Sequence, residues 1–200
     1  MLWPPPQRGL QGSVVRMEPL GTGHFEDLSR AADDERIWAW MDRRIPSEPG
    51  SFERWFEGRL EARDKGTDWP FATTVDGKAV GSSSYLAVRR EHDGLEIGHT
   101  WLNPAHWRTG ANAEAKLLML AFAFDELGCI RVEFKTDSRN ERSRAALEGI
   151  GASFEGIFRR HMLTHVEGVR DSAYYSITDE DWPGVRDRLR ATSNKERATA

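Results

Sequence analysis

The chain has a single cysteine, Cys129, among its 200 residues. No disulfide can close within it, which points to a reducing, cytoplasmic setting. Cys129 lies in "LGCIRVEF", between a helix end and an apolar strand, and reads as a small core side chain rather than a nucleophile. Long apolar runs are missing too. The longest, "LLMLAFAF" at Leu117–Phe124, is far shorter than the roughly 20 residues that cross a bilayer, so no membrane partner is expected. The first residues, "MLWPPPQRGLQGS", hold three prolines in a row and no apolar signal-peptide core. Residues 1–12 therefore read as a flexible arm. There is no excess of basic charge either, and a net charge of −4 argues against a general nucleic-acid binder. The histidines share no metal-ligand spacing. His161 and His165 are four apart, but in a segment that reads as strand and turn, while His24, His92, His99 and His106 are scattered, so no metal is expected.

What is present is a charge-rich sequence, 30% charged and 38% hydrophobic with both signs interspersed, as in a folded globular protein. "VVRMEPL" reads as a short strand. "GTGHFEDLSRAADDERIWAW" is helical, with Thr22 as its cap, and an amphipathic helix follows from Ser51 to about Lys65. "WPFATTV" and "AVGSSSYLAV", separated by "DGK", form a hairpin. A strand over Leu95–Leu102 leads through a glycine loop into a helix over Ala113–Leu127, and "CIRVEFKT" is the next strand. "SRNERSRAALEGIG" opens with Ser138 and Glu141 as a capping box. Two antiparallel strands, "ASFEGIFRRHML" and "VRDSAYYSIT", precede a short last helix and a tail over 191–200. The pattern predicts one α/β (α+β) domain over residues 13–190. Its mixed, mostly antiparallel sheet is flanked by helices and contains one parallel β-α-β crossover.

The crossover loop "WRTGANAEAK" carries the chemistry. It lacks the Gly-Lys-Ser/Thr of a nucleoside-triphosphate loop and the triple glycine of a dinucleotide site. The backbone N–H groups of Thr109 to Ala113 can still converge at a helix start that favours an anion, with Gly110 allowing close approach and Arg108 adding charge. Asn112 could also cap that helix.

Together, "LEIGHTWLNPAHWRTGANAEAKLLMLAFAF", "RVEFKTDSRNERSRAALEGIGASFEG" and "RRHM…RDSAYYSIT" resemble the GNAT superfamily of acyl-CoA-dependent N-acetyltransferases. Within it, the chain is most similar to the branch of ribosomal-protein N-terminal acetyltransferases. The resemblance runs from about Val14 to Leu189. It implies a GNAT-like domain with a central acyl-CoA-binding unit, acetyl-CoA as cosubstrate, and a primary amine as acceptor, either a protein N-terminus or a small molecule. Trp107, Arg108, Thr109, Gly110, Ala111, Asn112 and Ala113 stand where the family holds the pyrophosphate. Gly110 matches the family's pattern, whereas Trp107 replaces its usual Arg or Gln and Asn112 its final small residue. Thr100, Trp101 and Leu102 fall where the pantetheine arm pairs with the strand, and Asn140 and Ser143 where a second motif faces the cofactor.

The resemblance also places the thioester near Glu96–His99, which makes Glu96 the candidate base for the amine's proton. Leu95 and Ile97 beside it imply partial desolvation, which raises a carboxyl pKa. The family's usual tyrosine acid is replaced by Leu147, leaving Ser143 as the nearest polar substitute, with Tyr174, Tyr175 or water as others. His161 is expected to border the acceptor site. Trp38, Trp40, Trp55 and Trp69 fall in segments that roof it, and Asp33, Asp34, Glu35 and Asp42 nearby would suit a cationic acceptor. A homodimer is a further possibility. The competing reading is an acyl-CoA-binding sensor module with little or no catalysis.

Overall fold

The structure is a computed structural model that describes residues 1–5, 7–41, 45, 47–164 and 168–199. Asp42 and His165 lie outside the described residues. Eight strands form one sheet in the order β1-β2-β3-β4-β5-β6-β8-β7. They are β1 (Leu10–Gln11), β2 (Arg16–Pro19), β3 (Trp69–Val75), β4 (Lys78–Arg89), β5 (Gly94–Leu102), β6 (Arg131–Asp137), β7 (Ser153–Thr164) and β8 (Gly168–Thr178). The described α-helices are α1 (Phe25–Ala31), α2 (Glu35–Trp38), α3 (Ser51–Asp64), α4 (Ala111–Ala121), α5 (Glu141–Ile150) and α6 (Trp182–Thr199). Every strand pair is antiparallel except β5 with β6, the single crossover that the element order predicts. Asp76 and Gly77 both take positive φ, 50° and 76°, in the two-residue β3–β4 turn. That is the geometry an Asp-Gly hairpin requires.

Two features of β5 shape the centre of the molecule. Its parallel pairing with β6 covers only Gly94–Glu96 against Arg131–Glu133. β6 pairs with β8 along its whole length, while beyond Glu96 β5 runs on to Leu102 held only by β4. The two strands therefore part. Second, Ser82 faces Trp101 while Ser84 faces Gly98, so β5 carries one extra residue at this point, where His99 sits at φ 49°. A bulge of this kind resets the alternation of side chains. Leu95, Ile97 and Leu102 join the core under α4 with Met119, Val132 and Phe134. Trp101 instead joins the opposite core with Trp38, Trp55 and Phe56.

Local capping differs from the sequence expectation in three places. Thr22 lies in a 3-10 turn rather than capping α1, and Asp34 caps the short α2 by accepting the Arg36 N–H. Helix α4 starts at Ala111 with Gly110 as its N-cap at φ 85°, so Asn112 is inside the first turn and is not the cap. Asn140 rather than Ser138 caps α5, because its side chain accepts the Ser143 N–H at 3.0 Å while the Ser138 N–H bonds Asp171. The termini lie against the body. Leu10 is buried and β1 pairs with β2, Trp3 meets Trp69 edge-on, and α6 extends to Thr199.

Candidate active site

Three groups of residues converge on the parting of β5 and β6. The first is the loop before α4. Arg108 and Gly110 adopt left-handed backbone at φ 59° and 85°, which turns the chain sharply from strand to helix. Trp107 is anchored by its indole N–H to the Leu102 carbonyl at 2.9 Å. Two guanidinium groups approach its ring, Arg142 at 4.0 Å and Arg36 at 5.6 Å from the centroid. Arg36 is paired with Asp34 at 2.6 Å, so among the described residues Arg142 of α5 is the one of the two without a carboxylate partner beside this loop. Burial and the Arg36 charge push the Arg142 pKa down from its ordinary value. An anion already rests here, since the Gly110 N–H donates to the Glu196 carboxylate of α6 at 3.0 Å. A cleft of about 640 Å³ opens beside it, bordered by Trp107, Arg108, Thr109, Lys195 and Glu196.

Helix α4 is itself held by a second carboxylate. Glu114 is buried and accepts hydrogen bonds from the N–H groups of Ser13, Val14 and Val15 and from the Ser13 hydroxyl, at 2.6–2.9 Å. Burial alone would raise its pKa, but these donors outweigh burial and hold it below the ordinary value.

The second group is on the face of the sheet away from α4. Glu96 is buried and pairs with Lys135 at 2.9 Å. Burial raises the Glu96 pKa, and Lys135 opposes that shift without cancelling it. Nearby on β8, which Lys135 pairs with, the Tyr174 hydroxyl meets His161 Nε2 at 3.2 Å, and His161 Nδ1 meets the Ser172 hydroxyl at 3.0 Å. Burial, with Lys135 and Arg170, lowers the His161 pKa and favours the neutral ring. Trp38 and Trp55 pack on Trp101 in the core above this face. Trp69 does not belong to that roof, because it packs in the core under α4. Trp40 lies over Arg139.

The third group is the start of α5. Asn140 and Ser143 form its cap, and Arg142 between them touches the Trp107 ring, so this turn meets the α4 loop. Leu147 is buried in the core. Tyr175 is also buried, its hydroxyl fixed between Arg144 at 3.1 Å and Glu148 at 2.8 Å. Its partners on α5 put it on the opposite face from Glu96. Among the described residues, no group of three His, Cys, Asp or Glu could hold a metal. Among the same described residues, no helix is long and apolar enough to cross a membrane. Burial pushes the Cys129 thiol up to about 12, which keeps it protonated.

Residues 15–153 match the sequence pattern that defines the acetyltransferase (GNAT) domain. The chain belongs to this family. FsC-acetyl coenzyme A-N(2)-transacetylase of Aspergillus fumigatus is 33% identical over 173 residues, 84% of this chain and 66% of that protein. YdaF of Bacillus subtilis, provisionally named a ribosomal N-acetyltransferase, is 32% identical over 112 residues, 56% of this chain and 60% of that one. The chain thus spans less than two thirds of either relative. The crystal structure of a GCN5-related N-acetyltransferase from Brucella melitensis superposes with a TM-score of 0.85 at 31% identity, covering 94% of this chain and 86% of the other. The likeness to YdaF agrees with a resemblance to the ribosomal-protein branch, and the superposition with the single-domain GNAT fold.

Within this GNAT domain several residues escaped the sequence reading. Arg36, Arg142 and Glu196 reach the loop from remote elements, and no local pattern announces them. Lys135 pairs with Glu96 only because β5 and β6 run parallel for three residues. Lys116 did leave a signal, since it falls at helical spacing between Ala113 and Leu120 on the buried stripe of α4.

Proposed function

We propose that the protein transfers an acetyl group from acetyl-CoA to a primary amine, a protein N-terminus or a small-molecule amine, in a cytoplasmic setting. The observation that carries this reading is the parting of β5 and β6 directly beyond Glu96, with an anion-holding helix start at its far end. The free edge of β5 from Ile97 to Leu102 offers backbone groups to an extended arm. Thr100, Trp101 and Leu102 are the residues assigned to it. The pyrophosphate would take the place that the Glu196 carboxylate occupies, on the N–H groups from Thr109 to Ala113. Arg108 and Arg142 add positive charge there. Asn140 and Ser143 would line the opposite wall.

An attacking amine must first lose a proton. Glu96 suits that task because burial raises its pKa toward that of the proton it takes, while Lys135 holds its orientation. Oxyanion stabilisation falls to a backbone N–H of the same strand. Thiol release from acetyl-CoA in the presence of amines and N-terminal peptides tests the reading. Amine-dependent release that Glu96→Gln suppresses is the expected result. Tight CoA binding with no turnover on any acceptor would replace the enzyme reading with a sensor module.

A further inference from the structure

Lys116 has no role in that scheme, yet its surroundings are unusual. It is 6% exposed, on the second turn of α4. Its ammonium nitrogen donates to the Thr100 hydroxyl at 2.8 Å and lies 3.5 Å from the Ser83 hydroxyl. It also stands 5.6 Å from the centroid of the Phe134 ring. No carboxylate pairs with it among the described residues. The groups that meet it from β4, β5 and β6 are two hydroxyls and a ring, none of them charged. Burial is the only influence on its pKa, which falls from an ordinary 10.5 to about 7.

Its position links this chemistry to the site. Thr100 and Phe134 both lie beyond the last residues at which β5 and β6 pair, Glu96 and Glu133. Lys116 therefore reaches from β5 to β6 across the mouth of the parting, on the α4 face, opposite the Glu96–Lys135 pair. Structural need does not explain it. The Ser83 and Thr100 hydroxyls already bond each other at 2.7 Å, so neither depends on the lysine. A buried cation without a partner costs stability, and an apolar chain of the same length would pack there at lower cost. The other candidate donors are placed less well. Ser143 lies at the loop end with Arg142 and Trp107, Tyr174 on the acceptor face with His161, and Tyr175 is tied to Arg144 and Glu148.

We propose that Lys116 is the proton donor to the coenzyme thiolate. The proposal rests on the acetyl-CoA reading above. When the amine nitrogen has bonded to the acetyl carbon and the tetrahedral adduct collapses, the C–S bond breaks and its electron pair goes to sulfur. A proton from the Lys116 ammonium then forms the thiol. Lys116 is left as a neutral amine, a form its dry surroundings favour, and regains a proton from solvent. Before collapse, the protons shed by the attacking nitrogen leave through Glu96, so the reaction releases one proton overall.

The test uses the full chain and its Lys116→Met and Lys116→Arg variants with free CoA and acetyl-CoA. The ultraviolet absorbance of the thiolate, followed against pH, gives the thiol pKa of bound CoA. In Lys116→Arg, whose charge persists across the titration, it should lie at least about one unit below its value in Lys116→Met, because position 116 faces the sulfur. Turnover should fall about tenfold or more in Lys116→Met, with KM for the amine unchanged. In the parent, kcat should fall as pH rises through about 7, where Lys116 loses its proton, and that limb should be missing from Lys116→Met. Thermal stability of Lys116→Met should equal or exceed that of the parent, which separates a working lysine from a structural one. The same thiol pKa in Lys116→Arg and Lys116→Met, or a loss of turnover that only follows a loss of folding, overturns the proposal and leaves the acetyl-CoA reading intact. Failure of the parent chain to bind CoA overturns both.

Discussion

Glu96 and Lys116 are both buried ionisable groups at the point where β5 and β6 separate, yet they are placed under opposite rules. Glu96 has a counter-charge at 2.9 Å on the neighbouring strand. Lys116 has two hydroxyls and an aromatic ring. A paired charge can be explained by folding alone, because each partner offsets the desolvation of the other. An isolated one cannot, so the lysine is the more informative of the two even though the carboxylate is the more obvious catalyst. The pair brackets the parting, one group on each face of the sheet.

The largest effect should separate the two roles directly. Glu96→Gln keeps the shape and removes the base, so kcat should fall by about 10²–10⁴-fold while CoA affinity, measured by calorimetry, is retained. An equal fall in CoA affinity would mean that Glu96 organises the fold of the site rather than the proton. Stability tests the contrast next. Lys135→Met strips a buried carboxylate of its partner and should cost about 1–3 kcal/mol in urea unfolding, whereas Lys116→Met should cost nothing.

The sign of the pH dependence at Lys116 follows from the direction of its shift. Its folded pKa of about 7 lies below the ordinary 10.5, so the unfolded chain binds the proton first as pH falls. Parent stability should therefore rise from pH 7 toward pH 10, and Lys116→Met should flatten that slope in denaturant titrations at a series of pH values. Glu114 gives a slope of the same sign in the acid range. Its pKa is lowered on folding, so its contribution is present above the ordinary carboxylate range and is lost as pH falls through the folded value. Glu114→Gln should remove part of that acid sensitivity. The smallest effect concerns the loop. Glu196→Gln removes a rival anion from Gly110 and should tighten CoA binding about three- to tenfold at low salt, the gain fading as salt rises. Unchanged affinity would show that the carboxylate and the coenzyme do not compete.

The comparison also shows why parts of the site were legible and others were not. The Asp76-Gly77 turn and the glycine at 110 act through their own backbones, and each does what its local sequence predicts. Capping was only half legible. Ser138 and Asn140 are both good cap residues, and a tertiary hydrogen bond from the Ser138 N–H to Asp171 left the cap to Asn140. The resemblance puts the Trp69 segment in the roof, and only its neighbours assign its side chain to the core under α4.

The sequence by itself determined the order of the elements from β2 onward, the parallel crossover, the tight glycine at 110 and, through resemblance, the family. The first three rest on spacing along the chain and on backbone preferences that act over a few residues. Tertiary structure decided the rest. It placed one extra residue at the His99 bulge, which sends Trp101 to one core and keeps Leu102 in the other. It surrounded Trp107 with arginines from two distant helices and brought Glu196 to Gly110. It gave Glu96 a lysine and left Lys116 without a carboxylate. The electrostatic state of a side chain depends on which groups surround it once water is excluded, and that follows from how the sheet closes.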